Sequence, residues 1–105
     1  MTITVISIKR KKGTFEGRDY DNTEVCGFVQ NSTNEQVLCG QEVEICKFKT
    51  PVFTESLERN VAALNSPNVK ETKDLVGLNF VPVYNKFGNC EDFILSVPEG
   101  NNRKK

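Results

Sequence analysis

The chain has 105 residues, no histidine, and 14 basic residues balanced by 14 acidic ones. That length suits one domain of about 100–150 residues with a single modest core. Without histidine the Ser–His and Cys–His nucleophile arrangements are excluded, and neither a P-loop nor a G-x-G-x-x-G phosphate cradle occurs. No enzymatic role and no cofactor are therefore expected.

Zero net charge weighs against a uniformly basic nucleic-acid binder. The charges are unevenly placed, however. Lys9, Arg10, Lys11, Lys12 and Arg18 crowd one stretch, and Arg103, Lys104 and Lys105 end the chain. Acids gather elsewhere, at Glu42 and Glu44, Glu55 and Glu58, and Glu91 and Asp92. A neutral protein with this layout can still present one basic face. The apolar runs are far shorter than the roughly 18–20 residues that cross a bilayer. The N-terminus reads as a strand rather than a signal peptide, so a cytoplasmic protein without a membrane partner is expected.

Thr2–Ile8 alternates β-branched and small polar residues, the pattern of a half-buried strand. Residues 9–22 form a charged, glycine-containing connection, either a projecting loop or an extension of the flanking strands. Thr23–Val29 resumes strand character, and Asn31–Asn34 is a polar turn. A third extended segment is expected over Gln36–Lys49, bent at Gly40. Within it Val43, Ile45 and Lys47 share one face, and Glu44, Cys46 and Phe48 share the other.

The apolar period then changes. Thr54 is the expected N-cap of a helix over Glu55–Asn65, with Leu57, Val61 and Leu64 as its buried stripe. Glu55 and Glu58 would lie in its first turns, where the helix dipole favours anions. Val69–Gly77 holds room for one further turn, closed by Gly77. Leu78–Tyr84 and Cys90–Val97 complete the strands, joined by a tight hairpin at residues 85–89 with Gly88 left-handed. Pro82 removes a ladder donor, so its position lies at an edge or is turned outward. A domain over residues 1–97 and a polar tail over 98–105 follow.

Cys26, Cys39, Cys46 and Cys90 contain no C-x-x-C pair, which makes buried reduced thiols the preferred reading over a metal site or disulfides. Phe28, Phe48 and Phe80 are expected in the core, and Phe53 at the start of the helix. The carboxylate pairs Glu42/Glu44 and Glu91/Asp92 suit solvated strand faces better than acid–base chemistry.

The element order strand, strand, strand, helix, strand, strand resembles that of the oligonucleotide/oligosaccharide-binding (OB) barrel, a mostly β fold of five strands with its helix between the third and fourth. The ending, from Leu75-Val76-Gly77 through Phe80–Gly88 to Phe93-Ile94-Leu95, is similar to the closing hairpin of small single-stranded-DNA-binding proteins of phages and bacterial mobile elements. That resemblance implies a non-catalytic protein of phage or plasmid replication or transfer. It also implies a ligand lying between the loops that join strands 1–2 and 4–5.

In this sequence those loops carry Lys9, Arg10, Lys11, Lys12, Phe15, Arg18 and Tyr20, and then Tyr84, Lys86 and Phe87. Cations to neutralise phosphates and rings to stack unpaired bases are the two ingredients of single-strand binding. Single-stranded DNA is the first expected partner, with RNA not separable from it. The alternative is a small protein-interaction module, such as a phage-encoded inhibitor or assembly subunit, using a barrel edge to pair with a partner or a second copy.

Overall fold

The computed structural model describes residues 1–98, so all of the expected tail but Pro98 lies outside the described residues. Five strands and one helix follow in the order β1 (Ile3–Phe15), β2 (Arg18–Val29), β3 (Val43–Lys49), α1 (Thr50–Leu64), a 3-10 turn (Thr72–Leu75), β4 (Asn79–Tyr84) and β5 (Cys90–Ser96). They form one antiparallel sheet in spatial order β3-β2-β1-β4-β5. The fold is mostly β, with its helix after the third strand, as the sequence pattern predicts.

The charged connection at 9–22 is resolved in favour of extended strands. β1 and β2 stay paired to the last residue before the turn, Phe15 opposite Arg18. Glu16 and Gly17 close the hairpin with φ of 53° and 79°. Positive φ at both central residues is what a two-residue turn needs to match strand twist, and Gly17 adopts it without steric cost. At the other end of the pair the register shifts between Val5 and Ser7. There a side chain on Gly27 would sit 2.4 Å from the Thr4 carbonyl oxygen, so only glycine lets the strands approach this closely.

Alternation fixes which residues turn inward. Ile3 and Val5 of β1, Val25 of β2, Cys46 and Phe48 of β3, Phe80 of β4 and Phe93 and Leu95 of β5 are buried together with Phe53, Val69, Leu75 and Leu78. Phe48 presents its edge to Phe53, Phe80 and Phe93 at centroid distances of 5.9, 6.0 and 5.6 Å. Phe80 and Phe93 stack at 4.7 Å. Edge-to-face and offset rings are the arrangements that the aromatic quadrupole favours.

Several sequence expectations need correction. Phe28 is only half-buried, because Val25 and Gly27 take the inward positions of β2 and leave Phe28 on the outer face with Cys26. The third extended segment is a strand only from Val43; residues 36–42 are irregular and turn at Gly40, φ 78°. Thr54 is not the N-cap. The helix starts at Thr50, with Lys49 as cap and Pro51 in the first turn, where the missing proline N–H has no partner to lose. Glu55 and Glu58 consequently miss the first turn, which holds no acid.

The helix face is also rotated from the expected stripe. Phe53, Ser56 and Asn60 are buried, while Leu57, Val61 and Leu64 flank them half-buried. The reason is a polar contact with β5. The Asn60 carboxamide donates to the Phe93 carbonyl at 2.8 Å and accepts from the Leu95 N–H at 2.9 Å. Asn60 thus satisfies the edge of β5 that no strand pairs.

That edge accounts for a further correction: the expected barrel is not closed. No ladder joins β3 to β5 among the described residues. The seam is filled by packing, with Phe48 against Phe93 and with Cys46 beside Cys90 and the Tyr84 hydroxyl. Pro82 is accommodated because β4 pairs with β1 only as far as Phe80, so its missing N–H faces no strand on that side. All four cysteines are free thiols, of which Cys46 is buried and Cys39 exposed.

Candidate nucleic-acid interface

Cross-strand partners lie on the same face of a sheet, so the register sorts the basic residues. Lys9, Glu24 and Lys47 make one row across β1, β2 and β3. Lys11, Asn22 and Lys49 make the next. Beyond β3 the two-stranded ribbon continues the same face with Gly13 opposite Tyr20 and Phe15 opposite Arg18. Rows on one face repeat about every 6.7 Å along a strand, and neighbouring strands are about 4.8 Å apart. The outer face therefore gathers Lys9, Lys11, Arg18, Lys47 and Lys49 with two rings.

The rings are accessible. Phe15 is 68% exposed at the ribbon tip and Tyr20 is 42% exposed. Tyr20 lies across Gly13, whose Cβ, were there one, would meet the phenol oxygen at 2.7 Å. The glycine thus makes room for a ring laid flat on the sheet, a common device for covering strand glycines.

Arg10 and Lys12 stand on the opposite face, with Thr23 and Asp21 as their partners in register. Arg10 holds Asp21 through two hydrogen bonds of 2.8 and 2.6 Å. Thr50 at the start of the helix donates to the same carboxylate at 2.7 Å and shares a hydrogen bond with Thr23. Bonding to Arg10 and then Thr50 holds the Asp21 carboxyl well below the usual carboxylate range. This side of the ribbon is a clasp to the helix rather than part of the basic face. Lys11 is also engaged, 3.4 Å from Glu24.

The β4–β5 hairpin borders the same region from the seam. Asn85 organises it, its carboxamide oxygen accepting from the N–H groups of Phe87 and Asn89. Phe87 is 76% exposed, with the Lys86 ammonium 5.3 Å from its ring centroid. Tyr84 is half-exposed, but its hydroxyl is turned inward. Burial and then the neighbouring Cys46 and Cys90 thiols push that hydroxyl up from the ordinary phenol value. Burial, and then Cys90, pushes the Cys46 thiol up to about 11.

A cleft of about 400 Å³ connects the two regions, lined by Asn22, Lys47 and Lys49 on one side and by Asn85, Asn89 and Glu91 on the other. It is the hairpin stem that reaches the base of the ribbon. Lys47 and Lys49 belong to neither loop, so the loop pattern alone does not point to them. Their signal was the alternation Lys47-Phe48-Lys49, which sends both lysines outward when Phe48 turns in.

Among the described residues no group of three or more Cys, Asp or Glu is placed to hold a metal ion, and no helix is long and apolar enough to cross a membrane. No family model, curated protein or solved structure matches the chain.

Proposed function

We propose that the chain is a non-catalytic binder of single-stranded nucleic acid, DNA first, built on an incompletely closed barrel of the OB type. The observation that carries this reading is the outer face of β1, β2 and β3. There five cations from separate parts of the chain share a surface with the exposed rings of Phe15 and Tyr20. Phosphates would be met by Lys9, Lys11, Arg18, Lys47 and Lys49, and bases by the two rings, with Lys86 and Phe87 extending the track at the second hairpin. Each stacked base contributes about 1–3 kcal/mol in such sites, and the stacking is indifferent to base identity. The spatial strand order 3-2-1-4-5, with the helix after the third strand, suits this fold. A cytoplasmic role in copying or transferring phage or plasmid DNA belongs to the same proposal and rests on the sequence resemblance alone.

Fluorescence polarisation of a labelled oligothymidylate over a salt series tests it. Binding at low salt, falling with a log–log slope of about −0.7 per phosphate neutralised, is expected. Absence of binding at low salt, or binding indifferent to salt, overturns it.

One feature favours a second reading, a protein-interaction module. Val43 and Ile45 continue the outer face of β3 as exposed apolar residues away from the lysines. Recovery of a specific protein with no oligonucleotide affinity would favour that reading.

A further inference from the structure

Resting on the single-strand reading, we infer that the cleft between β3 and the β4–β5 hairpin receives one base of the bound strand and confers a base preference at that one position. The rest of the basic face offers cations and π-surfaces, which bind any sequence. The cleft differs in chemistry. Its floor includes Phe48 and Val52, and its walls carry carboxamides. The Asn85 oxygen is committed to its own loop. Among the described residues, the carboxamides of Asn22 and Asn89 take part in no side-chain hydrogen bond, so each retains a donor and an acceptor for a ligand.

Charge orients the occupant. Lys47 and Lys49 project from the β3 side, while Glu91 stands on the hairpin side. A phosphate is drawn to the lysines and repelled from Glu91, which leaves the base pointing toward Asn89. At about 400 Å³ the space falls at the lower end of the roughly 300–1,000 Å³ of small-molecule sites, suited to a base with part of its sugar and not to a base pair. A carboxamide matches adenine bidentately, one donor and one acceptor to one base edge, so adenine is the expected base.

The experiment uses the full chain and a series of hexathymidylates in which a single adenine, cytosine or guanine is moved through the six positions. One position is expected to prefer adenine by about five- to tenfold, the lower end of what one good bidentate pair discriminates. Asn89→Ala, and separately Asn22→Ala, should lower affinity for the adenine-bearing hexamer toward that of plain hexathymidylate and so flatten that preference. A preference for another base at one position, flattened by the same variants, upholds the cleft and replaces adenine. Tight binding with no positional preference, or a preference untouched by both variants, overturns the cleft and leaves the single-strand reading standing. If no hexamer binds, the single-strand reading fails and takes the cleft with it. Unfolding midpoints of the variants, matched to the parent chain, exclude misfolding as the cause.

Discussion

The same two strands make two unlike structures along their length. In the first half, Ile3 and Val5 pair opposite Val29 and Gly27, with β3 on one side, β4 on the other and the aromatic cluster beneath. In the second half, residues 12–21, the pair runs on as a ribbon past the last partner of β3, Lys49 opposite Asn22. The first half is held by burial, at about 25 cal/mol for each Å² of apolar surface removed from water. The ribbon is held by its own ladder, its tight turn and the clasp of Arg10, Asp21 and Thr50. Stability and recognition are thereby separated: substitutions of the inward residues of the first half should unfold the protein, and substitutions on the ribbon and the outer face should change what it binds.

The largest effect is expected at the centre of the core. Phe48→Ala removes the ring that contacts Phe53, Phe80 and Phe93 and should cost about 3–5 kcal/mol in denaturant unfolding. Phe15→Ala, the same change at the ribbon tip, should stay within about 0.5 kcal/mol. Comparable losses at both sites would erase the distinction. Next comes Asn60→Ala, which leaves the buried Phe93 carbonyl and Leu95 N–H without their partner, an expected loss of about 1–3 kcal/mol. A neutral outcome would mean that β5 satisfies that edge in another way.

How much of this was legible in the sequence follows the same division. Where one interaction dominates, alternation is readable: β3 turns Cys46 and Phe48 inward and Ile45 and Lys47 outward, as their spacing predicts. The hairpin of Asn85–Asn89 and the turn at Gly77 were marked by residues that tolerate φ near 84–90°. Asn60 was not legible, because its burial depends on an open strand edge 33 residues away. Nor was the start of the helix, where a threonine N-cap signal at Thr54 competed with Pro51 and the proline prevailed. The candidate interface was half readable. The run from Lys9 to Lys12 announces charge, but only the register separates Lys9 and Lys11 from Arg10 and Lys12. The contribution of β3 appears only when the strands are laid side by side.

Binding sharpens the contrast in the opposite direction. Phe15→Ala and Tyr20→Ala should each weaken single-strand affinity by about 1–3 kcal/mol, with Tyr20→Ala also loosening the ribbon because Gly13 loses its cover. Replacing Lys47 and Lys49 together by glutamine should lower the salt slope by about 1.4, two phosphates at about 0.7 each. The same double change at Arg10 and Lys12 should leave the slope nearly unaltered, since those side chains stand on the opposite face of the sheet. Equal slopes for the two pairs would mean that the ligand does not follow the outer face.

The smallest effect is expected at the clasp and only in acid. The folded-state pKa of Asp21 lies below its unfolded value of about 3.9, so its ionisation favours the folded state above that value. The contribution is complete near neutrality and is lost as pH falls below about 4 toward the folded pKa. Glu42, Asp74 and Asp92 are depressed in the same direction, so the parent chain should lose thermal stability steadily through that window. Asp21→Asn cannot titrate there. Its midpoint should start slightly lower at pH 7, because an exposed pair contributes little, and then fall less steeply, the two curves converging as acid neutralises Asp21 in the parent chain. Parallel curves would mean that the Asp21 carboxyl titrates alike folded and unfolded. A midpoint lowered as far as by Phe48→Ala would mean that the ribbon belongs to the core after all.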